Sequence, residues 1–244
     1  MNGLLYLRFE IRRIFRNKRF FFFSLGFPLI LYFVIAGPNK NDHNFGGSGI
    51  AAPLYYMVGL ASFGTMMAMV SSGARIAGER QSGWTRQLRI TPLSARAYLR
   101  AKVLTAYAMA ATSLGLLYIA AATLGVSLAA GTWLQMTALI AIGLLPFAAL
   151  GIALGHALTI DSTGPATGGI VSLLAIVSGT WFPITHGFLY DVGRWVPSYW
   201  LVQAARIAVH GHGWGTMGWA VVAGWTVVMT ALAAYAFARD GGRV

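Results

Sequence analysis

The chain has 244 residues, 57% of them hydrophobic and only 10% charged, with a mean hydropathy of +0.65. A soluble domain ordinarily carries about 25% charged residues, so this composition excludes a water-solvated body and fits one solvated by lipid. Of 18 Lys and Arg behind the net charge of +12, six fall between Arg8 and Arg19 and seven between Arg75 and Lys102. Basic clusters flanking apolar runs are what the positive-inside rule produces and suit anionic headgroups; nucleic-acid binding would instead need basic and aromatic residues in one water-facing groove. With no cysteine, disulfides and thiolate metal sites are excluded.

In residues 1–19, Leu4, Leu7, Ile11 and Ile14 recur at helical spacing while Arg8, Arg12, Arg16 and Arg19 form another stripe. That pattern predicts an amphipathic helix lying in the membrane interface; the plainer alternative is a basic flank that orients the next helix. Residues 20–36 are uncharged and about long enough to span a bilayer. Arg12-Arg13 ahead of this run resembles an export signal, but the run exceeds a signal core and the sequence beyond it is apolar too. It is therefore read as span one. Further spans are expected at 51–74, 103–126, 133–158, 165–182 and 217–238. Residues 75–102 form the longest polar segment. Residues 183–213 are rich in Trp, Tyr, Gly and Pro with few charges, and are expected to dip into the outer leaflet as short re-entrant helices.

The reading is thus a single all-α membrane domain with an interfacial helix, six transmembrane helices and re-entrant helices between spans five and six. Six spans put both termini on one side. With the N-terminus inside, 15 basic residues lie inside and three, Lys40, Arg194 and Arg206, outside. Trp133, Trp181, Trp195, Trp200, Trp214 and Trp219 then gather at the outer boundary, where indoles are favoured. Both signals favour a multi-pass protein of the cell membrane with cytoplasmic termini.

Residues 78–102 read GERQSGWTRQLRITPLSARAYLRAK. Gly83 offers a break, and Thr91-Pro92 suits a helix start, Thr as cap and Pro in the first turn. A short helix held between breaks is a knob that a partner can push; the alternative is a solvated loop with orienting charges. The segment resembles the cytoplasmic loop of type-2 ABC exporter permeases, including the bacterial drug-exporter branch. Glu79, Gly83, Thr91, Pro92 and Lys102 stand at matching positions. After span five, Phe182-Pro183 and the spacing of Pro197, Tyr199 and Leu201 are similar to that family's outer segment. Where many relatives carry Thr-Leu-Glu after the loop glycine, this chain has Trp84, Thr85 and Arg86. The charge is reversed there, and the family's acidic contact cannot be carried over.

The resemblance implies a permease energised by a separate ABC ATPase in two copies, with ATP and Mg on that partner, and a second permease as homodimer or sister heterodimer. Glu79, Arg80, Gly83, Trp84, Arg86, Thr91 and Pro92 become the candidate coupling residues. Arg194, Pro197, Tyr199, Trp200 and Arg206 belong to the outer vestibule or re-entrant segment. The cargo expected is an amphipathic drug, antibiotic or lipid-like molecule moving outward. The chain has no Gly-Lys dipeptide and so no phosphate loop of its own; no catalytic or cofactor site is expected in it.

Met57, Met66, Met67 and Met69 give span two adaptable side chains, so Met66 and Met69 are candidates for a substrate path, with helix packing as the alternative. His156 is a further candidate, for substrate or proton passage or as a satisfied structural residue. Gly151-x-x-x-Gly155 permits close approach of another helix, from the same chain or a second one. His210-Gly-His212 gives two ligands, too few for zinc. A secondary transporter would want paired intramembrane carboxylates or broken midplane helices; a membrane enzyme would want catalytic groups clustered at one depth. All six acidic residues lie in loops or near span ends, which favours neither.

Overall fold

The computed structural model describes residues 3–17, 22–45, 50–182, 184, 186–210 and 213–241, and among these it contains helices and no strands. Helix α1 spans Gly3–Arg16. A π turn at Phe22–Gly26 leads into α2, Phe27–Ala36, and α3 runs Ala52–Ala74. Two short helices, α4 (Ile76–Gln81) and α5 (Trp84–Arg89), precede the long α6, Ala95–Thr123. Then come α7 (Ala130–Gly143), α8 (Leu145–Ala157) and α9 (Ile160–Val177). The short helices α10 (Phe188–Gly193), α11 (Pro197–Ala205) and α12 (Ile207–His210) follow, and α13 (Thr216–Gly241) is last.

Among the described residues, five helical stretches are long and apolar enough to cross a membrane: Ala52–Gln81, Ala95–Thr123, Ala130–Ala157, Ile160–Val177 and Thr216–Asp240. The first apolar run is shorter, since α2 holds ten residues, about 15 Å of rise against about 30 Å of hydrocarbon. Residues 20 and 21 of the expected first span lie outside the described residues. Elsewhere, Pro146 breaks the third stretch, Ala130–Ala157, into α7 and α8, because it has no N–H to give the preceding turn. Helix α9 starts earlier than the expected Pro165, and Gly179 ends the segment in the left-handed region at φ 71°.

Helix α3 is the hub. Of its most apolar window 72% is buried, against 17% for α13, and it packs on α6, α8, α9 and α2. Met66, Met69, Met109, Met136, Ile140 and Phe147 fill the core around it. On its far half, glycine brings α8 to backbone contact. A Cβ built at Gly151 would stand 2.6 Å from the Val70 carbonyl oxygen, and one at Gly155 would stand 2.5 Å from that of Gly73. The partner of the Gly151-x-x-x-Gly155 stripe is therefore α3 of the same chain. Helix α9 shows α3 a narrow stripe of Thr163, Thr167, Val171 and Ala175.

Helix α1 lies along α6, burying Tyr6, Glu10 and Ile14. Leu4, Leu5, Phe9 and Phe15 are exposed together with Arg8, Arg12 and Arg16. The expected stripe is thus divided: Ile14 faces the protein, Leu7 and Ile11 are half-buried, and Leu4 is free of it. The reason is Glu10, which the ion cluster described below draws inward and which fixes the helix's rotation.

Candidate functional site

The polar segment between α3 and α6 folds into a compact bend at the basic end of the bundle. Helix α4 continues α3 after a turn at Arg75, and Gly83 then reverses the chain in the left-handed region at φ 72°, where a side chain would be strained. The expected helix start at Thr91-Pro92 is corrected. Thr91 instead closes α5, its hydroxyl donating to the Leu88 carbonyl at 2.7 Å. Ser94, in extended backbone, caps α6, accepting from the Ala97 amide at 3.2 Å; with Thr91 and Pro92 in a turn, the helix begins only after it. Trp84, Arg86, Gln87 and Ile90 present an exposed surface on this bend, Ile90 at 89%.

Two adjacent residues of α4 fasten the bend to opposite sides of the bundle. Glu79, only 5% exposed, pairs with Lys102 of α6 at 2.5 Å and with Arg13 of α1, and accepts from the Tyr98 hydroxyl at 3.0 Å. Lys102 also reaches Glu10 of α1 at 2.9 Å. Paired with Lys102 and Arg13, the Glu79 carboxylate faces the protein interior. Burial works against the charge of Arg13, but Glu79 and Glu10 beside it outweigh that and raise its pKa. Burial, with Glu10 and Glu79 alongside, pushes the Tyr6 phenol up and keeps it neutral. Removing one partner of such a cluster strands a buried charge, at about 3–5 kcal/mol.

Arg80 turns the other way. Its guanidinium binds Asp240 at the end of α13 at 2.7 Å and donates to the carbonyls of Leu158 at 3.1 Å and Gly155 at 3.3 Å. Those are terminal carbonyls of α8, which a cation satisfies well. His156 Nδ1 meets the other Asp240 oxygen at 3.0 Å, and its ring packs edge-on to Phe237. His156 is thus held between α8 and α13, beside the bend.

Between α3, α4 and the start of α9 lies a cavity of about 570 Å³, lined by Arg13, Met67, Ser71, Arg75, Glu79 and Thr167 among others. Met66 and Met69 face the core, at 1% and 0% exposure, while Met67 on the next face lines the cavity. A second cleft of about 420 Å³ runs from Arg80, Thr85 and Arg86 to Asp161 and Asp240.

Residues 37–235 match the model of the family described as ABC-2 family transporter protein. The chain belongs to the ABC-2 transporter family. It is also similar to a Bacillus subtilis (strain 168) protein named "Putative transport permease YvfS", 27% identical over 209 residues, which are 83% of each chain. Together these make it a type-2 ABC permease and multi-pass membrane protein; membership implies an ABC ATPase partner.

At the permease's other end, the segment after α9 folds back through α10, α11 and α12. Pro197 opens α11, and Tyr199 is buried beside Tyr190, ring centroids 6.1 Å apart. Trp200 donates its indole N–H to the Arg194 carbonyl at 2.8 Å, and Trp214 donates to the Trp200 carbonyl at 2.8 Å. Arg206 donates to the Gly179 carbonyl at 3.2 Å. All five expected outer residues therefore lie in one knot that joins the end of α9 to α13. Of the expected His210–His212 pair, His212 lies outside the described residues. Among the described residues no three His, Cys, Asp or Glu side chains gather as a metal site.

Sequence reading missed Glu10, Arg13, Tyr98 and Asp240 as members of the two networks. A signal was there: only six acidic residues exist, and Glu10, Glu79 and Asp240 each sit inside or beside a basic cluster.

Proposed function

We propose that this permease is half of an ATP-driven exporter, and that the α4–α5 bend is where its ATPase pushes. The observation that carries the reading is the opposed anchoring of Glu79 and Arg80. A load on the exposed face of Trp84, Gln87 and Ile90 passes through Glu79 to α1 and α6, and through Arg80 to α8 and α13. Both routes are charge-assisted and short, so a displacement of the bend moves helices rather than a loop. In this reading Glu79 acts on the permease's own helices, while Trp84 and Arg86 meet the partner.

Two permeases and two ATPases form the working unit, the six spans include residues 20–36, and residues 183–213 sit in the outer leaflet. Cargo is an amphipathic drug, antibiotic or lipid-like molecule that enters by the cavity beside α3 and leaves outward. Both termini and the bend face the cytoplasm at the cell membrane, as the 15-to-three division of basic residues supports. Exposed Ser94 and Asn41 test the topology: in intact cells, an impermeant thiol reagent should label Asn41→Cys and leave Ser94→Cys untouched. The reverse pattern would overturn the orientation.

The coupling reading has its own test. Trp84→Ala should lower the yield of co-purified ATPase at least about tenfold, since truncated aromatic anchors cost about 2 kcal/mol or more, while leaving the permease's thermal stability unchanged. Full ATPase recovery with Trp84→Ala and with residues 83–89 replaced by a flexible linker would sink the proposal.

A further inference from the structure

Resting on the coupling reading, the exposed face of the bend carries information about the surface that receives it. Residues 80–160 contain no acidic side chain, and Arg86, Arg96 and Arg100 are exposed along α5 and the first turns of α6. Most carboxylates that the fold brings to this end are engaged elsewhere. Glu10 and Glu79 are buried with Lys102 and Arg13, and Asp240 is held by Arg80 and His156.

Arg86 is the informative residue. It lines the cleft of about 420 Å³ together with Asp161 and Asp240, yet among the described residues it makes no ion pair. Arg13 and Arg80, by contrast, each bind a carboxylate. Asp161 sits in the first turn of α9, where the helix amides favour its charge. Beside Arg86, Trp84 is 37% exposed and Ile90 89%. An aromatic, an aliphatic and an unpaired cation on one short helix and its turn have the composition of an interface core, where Trp and Arg are enriched.

Anionic lipid headgroups are the other acids available at this end of the bundle. A headgroup entering the cleft would bring its charge against Asp161 and Asp240. A protein side chain can be set against Arg86 alone, with a donor turned toward Asp161. The ABC ATPase that family membership implies is therefore the better match.

We propose that the ATPase surface receiving the bend is acidic, with a carboxylate paired to Arg86 and an apolar socket for Trp84 and Ile90. Charge of that sign steers the two subunits together and turns away an ATPase carrying a base there, since like charges across an interface repel.

The test uses the full-length permease in neutral detergent, titrated with the ABC ATPase that mass spectrometry identifies as co-purifying with it. Arg86→Glu should weaken that binding at least about tenfold, as like-charge juxtaposition requires. Its thermal midpoint should stay unchanged, because Arg86 is exposed and outside the ion clusters. Raising KCl from about 0.1 to about 1 M, which shortens the Debye length from about 10 to about 3 Å, should weaken the wild type more than Arg86→Gln. Among single Asp→Lys and Glu→Lys changes on the ATPase surface, one should restore binding to Arg86→Glu while weakening binding to the wild type. Binding of Arg86→Glu at wild-type strength, or the lack of any ATPase change that rescues it, overturns the proposal. Fewer phosphatidylglycerol molecules retained by Arg86→Glu in native mass spectrometry, with ATPase binding unchanged, would assign the residue to the membrane instead. Weak binding of Trp84→Ala beside full binding of Arg86→Glu leaves the coupling reading standing and removes only the acidic partner. Full binding of both variants and of the 83–89 linker replacement, or no ABC ATPase recovered with the wild type, removes both.

Discussion

Replacing Lys102 by Met should be among the most damaging single changes in the protein. Lys102 is 4% exposed and stands between the carboxylates of Glu10 and Glu79, at 2.9 and 2.5 Å. Methionine nearly matches its volume but takes away the buried ammonium that serves both, leaving Arg13, on the cluster's more exposed edge, to serve two carboxylates. We expect a loss of about 3–5 kcal/mol, seen as a large fall in the thermal midpoint of the purified permease and loss of transport. The double variant Glu79→Gln, Lys102→Met should recover part of that stability, because it removes a charge from each side. Tyr98→Phe, which deletes one hydrogen bond at 3.0 Å to the same carboxylate, should cost only about 0.5–3 kcal/mol. If Lys102→Met leaves stability and transport intact, the cluster does not hold the bend.

The second large effect is expected at Gly151. Its neighbour across the contact is main chain, Val70 O at 2.6 Å and Val70 Cα at 3.0 Å from a built Cβ, so no side chain can move aside. Gly151→Leu must push α8 off α3, separating the two helices that join the bend's Arg80 anchor to the hub. Overpacking a close contact costs about 1–3 kcal/mol or more; with backbone on the far side the upper end applies. Gly151→Ala should be milder but still destabilising. Gly164→Ala, where a Cβ meets nothing within 4 Å, is the control and should be neutral or slightly stabilising. Thermal unfolding in detergent ranks the three, and an unchanged midpoint for Gly151→Leu would contradict the backbone contact.

Much of the bundle could be read from the chain because lipid demands long apolar helices, and α3, α6, α7–α8 and α13 each announce themselves by hydrophobic length. Their ends were less visible. Ile160 to Gly164 is polar enough to pass for a link, yet α9 starts there, with Thr159 in extended backbone at the N-cap position. Thr91-Pro92 has the composition of a helix start, but Ser94, three residues on, is an equally good cap and lies nearer to the periodic sequence of α6. Gly83 was readable as a break since little else in 78–102 tolerates a left-handed turn.

The site was legible as a segment and not as a network. Glu10 meets Lys102 across 92 positions and Arg80 meets Asp240 across 160, separations that no local pattern encodes. Glu79 looked available to a partner because charged residues in a basic loop usually face water; the fold buries it since Lys102 and Arg13 converge there. Met66 and Met67 differ by one position and 100° of helix, enough to send one to the core and the other to the cavity.

In the function proposed above, the α4–α5 bend receives a separate ATPase. A photo-crosslinking amino acid at Gln87, an exposed position on α5, tests it most directly, with Val192 of α10, 39% exposed, as the control at the other end of the bundle. Irradiated membranes should yield one dominant adduct from position 87, identified by mass spectrometry as an ABC ATPase subunit, and no ATPase adduct from position 192. ATPase adducts from 192 and none from 87 would contradict the account.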